Sequence, residues 1–204
     1  IEACERILAL ADRLAAQGIE LQHIDLGGGV GIVYHDEDTP DLAAYAAAVQ
    51  KLIGSRPLGL ILEPGRSLVG NAGDLLTRVE YVKRNEDKNF VIVDAAMNDL
   101  MRPALYQAYH RIEPAETPAV APFTADIVGP ICETGDFLAK DRRIAAQAGD
   151  LLVVRGAGAY AASMAGNYNA RRRAAEVLVS GSQARLVRRR ETVEEMLANE
   201  QACL

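Results

Sequence analysis

Two short runs in the first third of the chain combine turn residues with groups that can bind an anion. Residues 27–29 are three consecutive glycines after an apolar run, and a loop without side chains lets backbone N–H groups close around a phosphate. Glu63, Gly65 and Arg66 follow a second apolar run, where a carboxylate and a guanidinium could hold a charged ligand. Alone, the first run could be a plain tight turn and the second a surface ion pair. Together they are more informative, because both follow predicted neighbouring strands at the same end.

Five side chains in the rest of the chain could contact an amino-acid-like ligand. Arg102 and Tyr106 lie four residues apart, so on a short helix they would share a face and could bind a carboxylate. Cys132 and Glu133 place a thiol beside a carboxylate in a turn, where one could donate a proton and the other bind a cation. Tyr160 follows a glycine-containing turn and offers a ring and a hydroxyl. The structural alternatives are an arginine that caps a loop, a merely buried cysteine and a packed tyrosine.

The elements that must position these residues change in type near residue 73. Apolar periodicity predicts helices over 2–17 and 40–54, and apolar runs predict strands over 19–26 and 58–62. This α-β-α-β order is typical of a parallel sheet or a (β/α) barrel. The remainder is predicted to be mainly antiparallel β-structure with a terminal helix. Its strands are predicted over 75–82, 90–93, 125–128, 151–154 and 178–187 (interrupted at 180–182), its turn-rich stretches over 84–89 and 113–122, and its helix over 192–199.

Composition and charge narrow the class of protein. Half of the 204 residues are hydrophobic and the net charge is −6, which favours a globular domain and disfavours a surface for nucleic acid or anionic membrane. The arginine clusters at 171–173 and 188–190 are interpreted as solvated faces, because no aromatic residues interleave with them. The three widely spaced cysteines give neither a disulfide framework nor zinc-ligand spacing, so we expect a cytoplasmic protein without a metal. No segment is long and apolar enough to span a membrane.

The order of these motifs resembles the alanine-racemase-like family of pyridoxal-phosphate-dependent decarboxylases. The resemblance covers almost the whole chain, and its most specific parts are the runs at 94–110, 132–136 and 158–169. These runs are most similar to the members that act on meso-diaminopimelate. The alternatives are a decarboxylase of the same group for ornithine, arginine or carboxynorspermidine, and a non-catalytic homologue. The family fold implies the last two β/α units of a (β/α)8 cofactor-binding barrel over 1–72 and a β-rich C-terminal domain over 73–204.

The resemblance also implies a role for each candidate residue, with pyridoxal 5′-phosphate as the cofactor. Residues expected to contact the cofactor are Gly28, Gly29, Glu63, Gly65, Arg66 and Tyr160, with Glu63 on the pyridine nitrogen. Residues expected to hold the substrate are Arg66, Arg102, Tyr106, Glu133 and Tyr160, with Glu133 on the distal ammonium. Cys132 resembles the acid that protonates the carbanion left by CO2. Active sites of the family lie at a homodimer interface, so Cys132 and Glu133 would act on the partner subunit's cofactor.

Two features of the family have no counterpart in the sequence. One is the Schiff-base lysine, since the four lysines are all interpreted as surface residues: Lys51, Lys83, Lys88 and Lys140. The other is the histidine that stacks on the cofactor, since His23 is interpreted as packed within its strand and His35 and His110 as exposed. We therefore expect a C-terminal fragment that is inactive by itself. Two parallel strands alone would also leave open edges that a complete barrel covers.

Overall fold

Two compact units, Ile1–Gly70 and Asn71–Leu204, make up the chain in the computed structural model, which describes residues 1–201 and 203. The first unit contains two longer helices, a pair of parallel strands and a short third helix. Its elements are α1 (Glu2–Ala15), β1 (His23–Asp25), α2 (Leu42–Ile53), β2 (Gly59–Ile61) and α3 (Gly65–Val69). The predicted α-β-α-β order is confirmed, although β1 occupies only the last part of the predicted strand over 19–26.

Glycines and a capping aspartate set the helix ends in the first unit. The Asp41 side chain caps α2 by accepting a hydrogen bond from the backbone N–H of Ala44 at 2.8 Å. Gly18, after α1, and Gly54, after α2, have φ values of +83° and +60°. Glycine adopts this left-handed backbone without steric cost, so both helices stop before the strands that follow them.

A small apolar core holds the first unit together, and β2 is poorly covered by it. Cys4 and Leu8 of α1 pack with Ile24 of β1, and all three are buried. Leu60 and Ile61 of β2, by contrast, are 37% and 45% exposed. Strands of parallel sheets are normally covered on both faces, so this unit leaves an apolar strand open to a further layer.

The second unit is built on a six-stranded mixed sheet. Its strands lie in the order β5-β8-β3-β4-β6-β7, and a separate hairpin is formed by β9 and β10. The elements are β3 (Leu75–Arg84), β4 (Asn89–Val93), α4 (Arg102–Tyr106), β5 (Ile112–Pro114), β6 (Phe123–Val128), β7 (Phe137–Ile144), β8 (Leu151–Val154), α5 (Ala161–Met164), β9 (Glu176–Ser180), β10 (Gln183–Arg188), α6 (Val193–Met196) and α7 (Ala198–Gln201). The core lies on the inner face of this sheet, where Val91, Ile127, Leu138 and Leu152 are fully buried.

Two strands of the sheet differ from the sequence-based prediction. β5 overlaps the stretch over 113–122 that the sequence predicts to be turn-rich. β7 lies where the sequence predicts no strand, and it carries a charged run with Asp141 at φ +51°. The Asp141 N–H donates to the buried carboxylate of Asp126 at 2.8 Å, which stabilises this irregular backbone.

The prediction of an antiparallel sheet is wrong for one pair, because β4 and β6 run parallel. The long connection between them permits the crossover that parallel strands need.

Candidate active-site segments

The turns that follow β1 and β2 lie side by side. The two strands pair in parallel with Asp25 opposite Ile61. Beyond this pair, the N–H of Glu63 donates to the carbonyl of Gly27 at 2.8 Å. The Asp25 side chain accepts a hydrogen bond from the Gly27 N–H at 2.7 Å. The prediction that the runs at 27–29 and 63–66 fall at one end of neighbouring parallel strands is therefore confirmed.

Gly28 packs directly against the second turn. A Cβ atom at this position would lie 2.6 Å from the carbonyl oxygen of Glu63, so only glycine permits the approach. Gly27 and Gly29 on either side have φ values of +68° and +87°. Within residues 1–201 and 203, the N–H groups of Gly28 and Gly29 donate to no protein acceptor. Two donors are thus left for water or for an anion.

These glycines line a cavity of about 410 Å³. Its walls come from α1, the glycine loop and α2, and they include Cys4, Gly28, Gly29, Gly31, Tyr45 and Val49. The volume is in the range of small-molecule and cofactor sites. The lining combines apolar side chains with the backbone of the glycine loop.

The turn after β2 presents two charged side chains. Glu63 is exposed and Arg66 is half-buried. The Gly65 N–H donates to the Glu63 carbonyl at 2.8 Å, and the Ser67 hydroxyl donates to the Pro64 carbonyl at 2.9 Å. The chain therefore turns tightly into α3, and all of the candidate residues of the first unit lie on these two adjacent turns.

In the second unit, the loop with Cys132 and Glu133 is fixed by the carboxylate of Asp136. The N–H of Ile131 donates to its Oδ2 and the N–H of Met97 to its Oδ1, both at 2.7 Å. Asp136 is only 4% exposed. Since Met97 follows β4 and Ile131 follows β6, one side chain ties two loops of the candidate site together.

Asn98 ties a third segment to these loops. Its Nδ2 donates to the carbonyl of Gly166 at 3.1 Å, and the N–H of Gly166 donates back to the Asn98 carbonyl at 3.1 Å. Arg171 donates through Nε to Asn98 Oδ1 at 3.0 Å, and through Nη2 to the carbonyl of Asp94. The interpretation of Arg171 as part of a solvated face is therefore wrong, because its guanidinium holds a loop in place.

Cys132 and Glu133 lie at the surface of the loops that Asp136 and Asn98 connect. Both side chains are exposed. The hydroxyl of Tyr168 donates to Glu133 Oε2 at 3.5 Å, a long hydrogen bond that sets a phenol beside the carboxylate. A thiol, a carboxylate and a phenol are thus accessible on neighbouring loops.

Arg102 and Tyr106 lie at the two ends of α4, as the spacing predicts, but they differ in exposure. Arg102 is 7% exposed and Tyr106 is 63% exposed. Nη1 of Arg102 lies 2.9 Å from Nε2 of His110, and Nδ1 of His110 lies 2.9 Å from the carbonyl oxygen of Arg155. The expectation that His110 is exposed is wrong, because its ring is completely buried. Both ring nitrogens have hydrogen-bond partners inside the protein, as a buried polar ring requires.

Tyr160 follows a loop that is held against the start of β3. The Ala157 N–H donates to the Gly73 carbonyl at 2.7 Å, and a Cβ atom on Gly73 would lie 2.7 Å from the Cα of Gly158. Tyr160 itself has a φ of +66° and is 42% exposed. The loop therefore presents this ring at the surface on a closely packed backbone.

Four residues that support the candidate site have no role assigned from the sequence: Asn98, His110, Asp136 and Tyr168. All four lie within the motif runs at 94–110, 132–136 and 158–169. Their place in these runs is the signal that the sequence offers. Each has a hydrogen-bond partner 35 or more residues away, which is visible only in the structure.

Residues 1–201 and 203 contain no group of three or more His, Cys, Asp or Glu side chains that could hold a metal ion. No helix in this part of the chain is long and apolar enough to cross a membrane.

Comparisons with known proteins point to one group of enzymes. The family model described as "Pyridoxal-dependent decarboxylase, C-terminal sheet domain" matches residues 11–158. A diaminopimelate decarboxylase of Neisseria meningitidis serogroup A is 74% identical over 204 residues, covering 100% of this chain and 50% of the relative. That of Pseudomonas aeruginosa is 58% identical over 200 residues, covering 98% and 48%. The crystal structure of the Helicobacter pylori diaminopimelate decarboxylase complexed with L-lysine superposes with a TM-score of 0.91 at 39% identity, covering 100% and 50%. The chain spans about half the length of the curated relatives it matches.

Proposed function

Because the chain belongs to the pyridoxal-dependent decarboxylase family, we propose that residues 1–204 are the C-terminal part of a diaminopimelate decarboxylase. The complete enzyme would remove CO2 from the D centre of meso-2,6-diaminopimelate and release L-lysine. The observation that carries this proposal is the 74% identity to such an enzyme over all 204 residues. The aligned stretch includes every candidate site residue.

The first unit fits the cofactor of this family. Pyridoxal 5′-phosphate, when bound, supplies the electron sink for the electron pair left by CO2. The cavity beside the glycine loop has two backbone N–H groups without a protein acceptor. In the proposed site Gly28, Gly29 and the Gly65-Arg66 turn hold the phosphate, and Glu63 pairs with the pyridine nitrogen.

Charged and phenolic side chains are proposed to recognise the substrate. Arg66, Arg102 and Tyr106 hold a carboxylate, Glu133 holds the distal ammonium, and Tyr160 contacts both cofactor and substrate. Leaving either charge of the distal amino-acid head unpaired in a dry site is costly, so both need a partner. Ornithine has no distal carboxylate, and the pair Arg102–Tyr106 therefore favours diaminopimelate.

The same proposal covers architecture and assembly. Residues 1–72 form the last two β/α units of a (β/α)8 barrel, which accounts for the exposed apolar side chains of β2. Residues 73–204 form the β-rich domain. The enzyme is a homodimer in which Cys132 and Glu133, exposed in one chain, reach the partner subunit's cofactor. The cytoplasm is the proposed compartment, since Cys4, Cys132 and Cys203 are all thiols.

A substrate panel on the complete enzyme tests the function. We expect CO2 release from meso-diaminopimelate to exceed that from lysine, ornithine and arginine by at least about 10²-fold in kcat/KM, because the other substrates leave a charged group of the site unpaired. Comparable turnover of ornithine would favour another decarboxylase of the group. Binding of the cofactor without turnover of any substrate would favour a non-catalytic homologue.

Residues 1–204 alone should not form a covalent adduct with pyridoxal phosphate. Lys51 and Lys140 are exposed and Lys83 lies on β3, away from the glycine loop in sequence. Lys88 Nζ donates a hydrogen bond to Asp126 Oδ2 at 2.8 Å. This hydrogen bond raises the pKa of Lys88, so the amine is held in the unreactive protonated form. Borohydride reduction followed by mass spectrometry should show no stoichiometric adduct. A single fully labelled lysine would contradict the expectation.

A further inference from the structure

The buried pair of Arg102 and His110 fixes the orientation of a proposed substrate-binding side chain. Arg102 is 7% exposed and the His110 ring is 0% exposed. The ring stands between the Arg102 guanidinium and the backbone of Arg155, at 2.9 Å from each. Both ends of the ring are therefore anchored.

Hydrogen-bond chemistry determines the tautomer of this ring. A guanidinium carries only donors, so Nε2 of His110 must accept the hydrogen bond from Arg102. Nδ1 faces a carbonyl oxygen, which only accepts, so Nδ1 must carry the proton. The ring is neutral as a result. Burial lowers the pKa of His110, outweighing the Arg155 carbonyl, which raises it, and the positive charges of Arg102 and Arg142 lower it further.

The anchoring extends beyond Arg102. Arg155, whose carbonyl holds the ring, pairs with Asp74 at 2.6 Å and with Glu113 at 2.8 Å. It immediately precedes the loop that presents Tyr160. One imidazole thus connects α4 to the loop of a second candidate residue.

We infer that His110 is a positioning residue that sets the plane of the Arg102 guanidinium for a substrate carboxylate. The inference rests on the proposed function. Because the five N–H donors of a guanidinium lie in one plane, anchoring Nη1 on an immobile ring fixes the directions of the others. A carboxylate then meets a pre-oriented fork, and binding does not have to restrict the side chain.

L-lysine and cadaverine provide matched probes for this role, because they differ only by one carboxylate. Both should be titrated by calorimetry into the complete, cofactor-loaded enzyme and into its His110→Phe variant. We expect the variant to bind L-lysine about tenfold more weakly, the effect of misaligning a hydrogen bond to a charged group, and to bind cadaverine within about twofold of wild type. The cofactor absorbance spectrum of the His110→Phe variant should match that of the wild-type enzyme.

Two further variants separate positioning from folding. His110→Gln places an amide oxygen where Nε2 accepts from Arg102 and should recover most of the affinity for L-lysine. His110→Asn keeps a donor for the Arg155 carbonyl but cannot reach Arg102, so it should show the selective loss even if the phenylalanine variant does not fold.

Equal weakening of L-lysine and cadaverine binding, or wild-type affinity for L-lysine in the phenylalanine and asparagine variants, would overturn the inference. A wild-type enzyme that binds neither probe would overturn the proposed function itself. The two failures are distinguishable, because the second appears before any substitution is made.

Discussion

Replacing Cys132 by alanine in the complete enzyme should lower kcat for meso-diaminopimelate by about 10²–10⁴-fold, the range for loss of a general acid. In the proposed reaction, the thiol donates its proton to the carbon that has lost CO2, and alanine has no proton to give. The side chain is exposed in a loop held by Asp136, so the substitution removes the acid without opening the core. Steady-state kinetics and thermal unfolding of the same preparation measure both effects.

Cys203→Ala is the matched control, since Cys203 is also an exposed thiol but lies outside the motif runs. It should leave kcat unchanged. If Cys132→Ala retained more than about a tenth of wild-type kcat, another group would have to be the proton donor.

The same variant tests whether the active site is shared between subunits. Arg66→Ala and Cys132→Ala enzymes, each nearly inactive, should recover activity when they are mixed and allowed to exchange subunits. If Cys132 acts on the partner's cofactor, each mixed dimer has one intact site, so random exchange gives about a quarter of wild-type activity. If both residues serve the cofactor of their own chain, every site carries one defect and mixing restores nothing.

Local pattern in the sequence was sufficient to identify the turns of the first unit. The runs at 27–29 and 63–66 follow strands that pair in parallel, so their adjacency follows from connectivity alone. Glycine at position 28 also has a local signature, although its reason is the carbonyl of Glu63 on the neighbouring turn.

The second unit was less predictable because its contacts join distant segments. β7 contains Lys140, Asp141, Arg142 and Arg143, which mask the alternation expected of a strand. His110 gives no sign in the sequence that it is buried, since its partners are Arg102 and a carbonyl 45 residues away. In the sequence, Arg171 is likewise indistinguishable from the two arginines that follow it. Only the structure shows its hydrogen bonds to Asn98 and Asp94.

Asp136→Ala should lower the free energy of unfolding by about 2–4 kcal/mol, because two backbone N–H groups would lose a charged acceptor in a buried site. The donors are those of Met97 and Ile131, both 2.7 Å from the carboxylate. Urea denaturation of the complete enzyme measures the change. Asp87→Ala, at an exposed carboxylate in the turn between β3 and β4, is the control and should shift stability by less than about 0.5 kcal/mol.

Gly129→Ala disturbs the same clamp, which is the Asp136 carboxylate with the N–H groups of Met97 and Ile131. An added Cβ would lie 2.7 Å from Asp136 Oδ1 and 2.8 Å from the carbonyl oxygen of Ala95. The carboxylate would therefore be displaced, although the residue and its charge are kept. If Asp136 holds the Cys132 loop in its working position, both variants should lose kcat at temperatures where they remain folded. Loss of stability with unchanged kcat in the folded enzyme would mean that the clamp supports the fold but does not position the thiol.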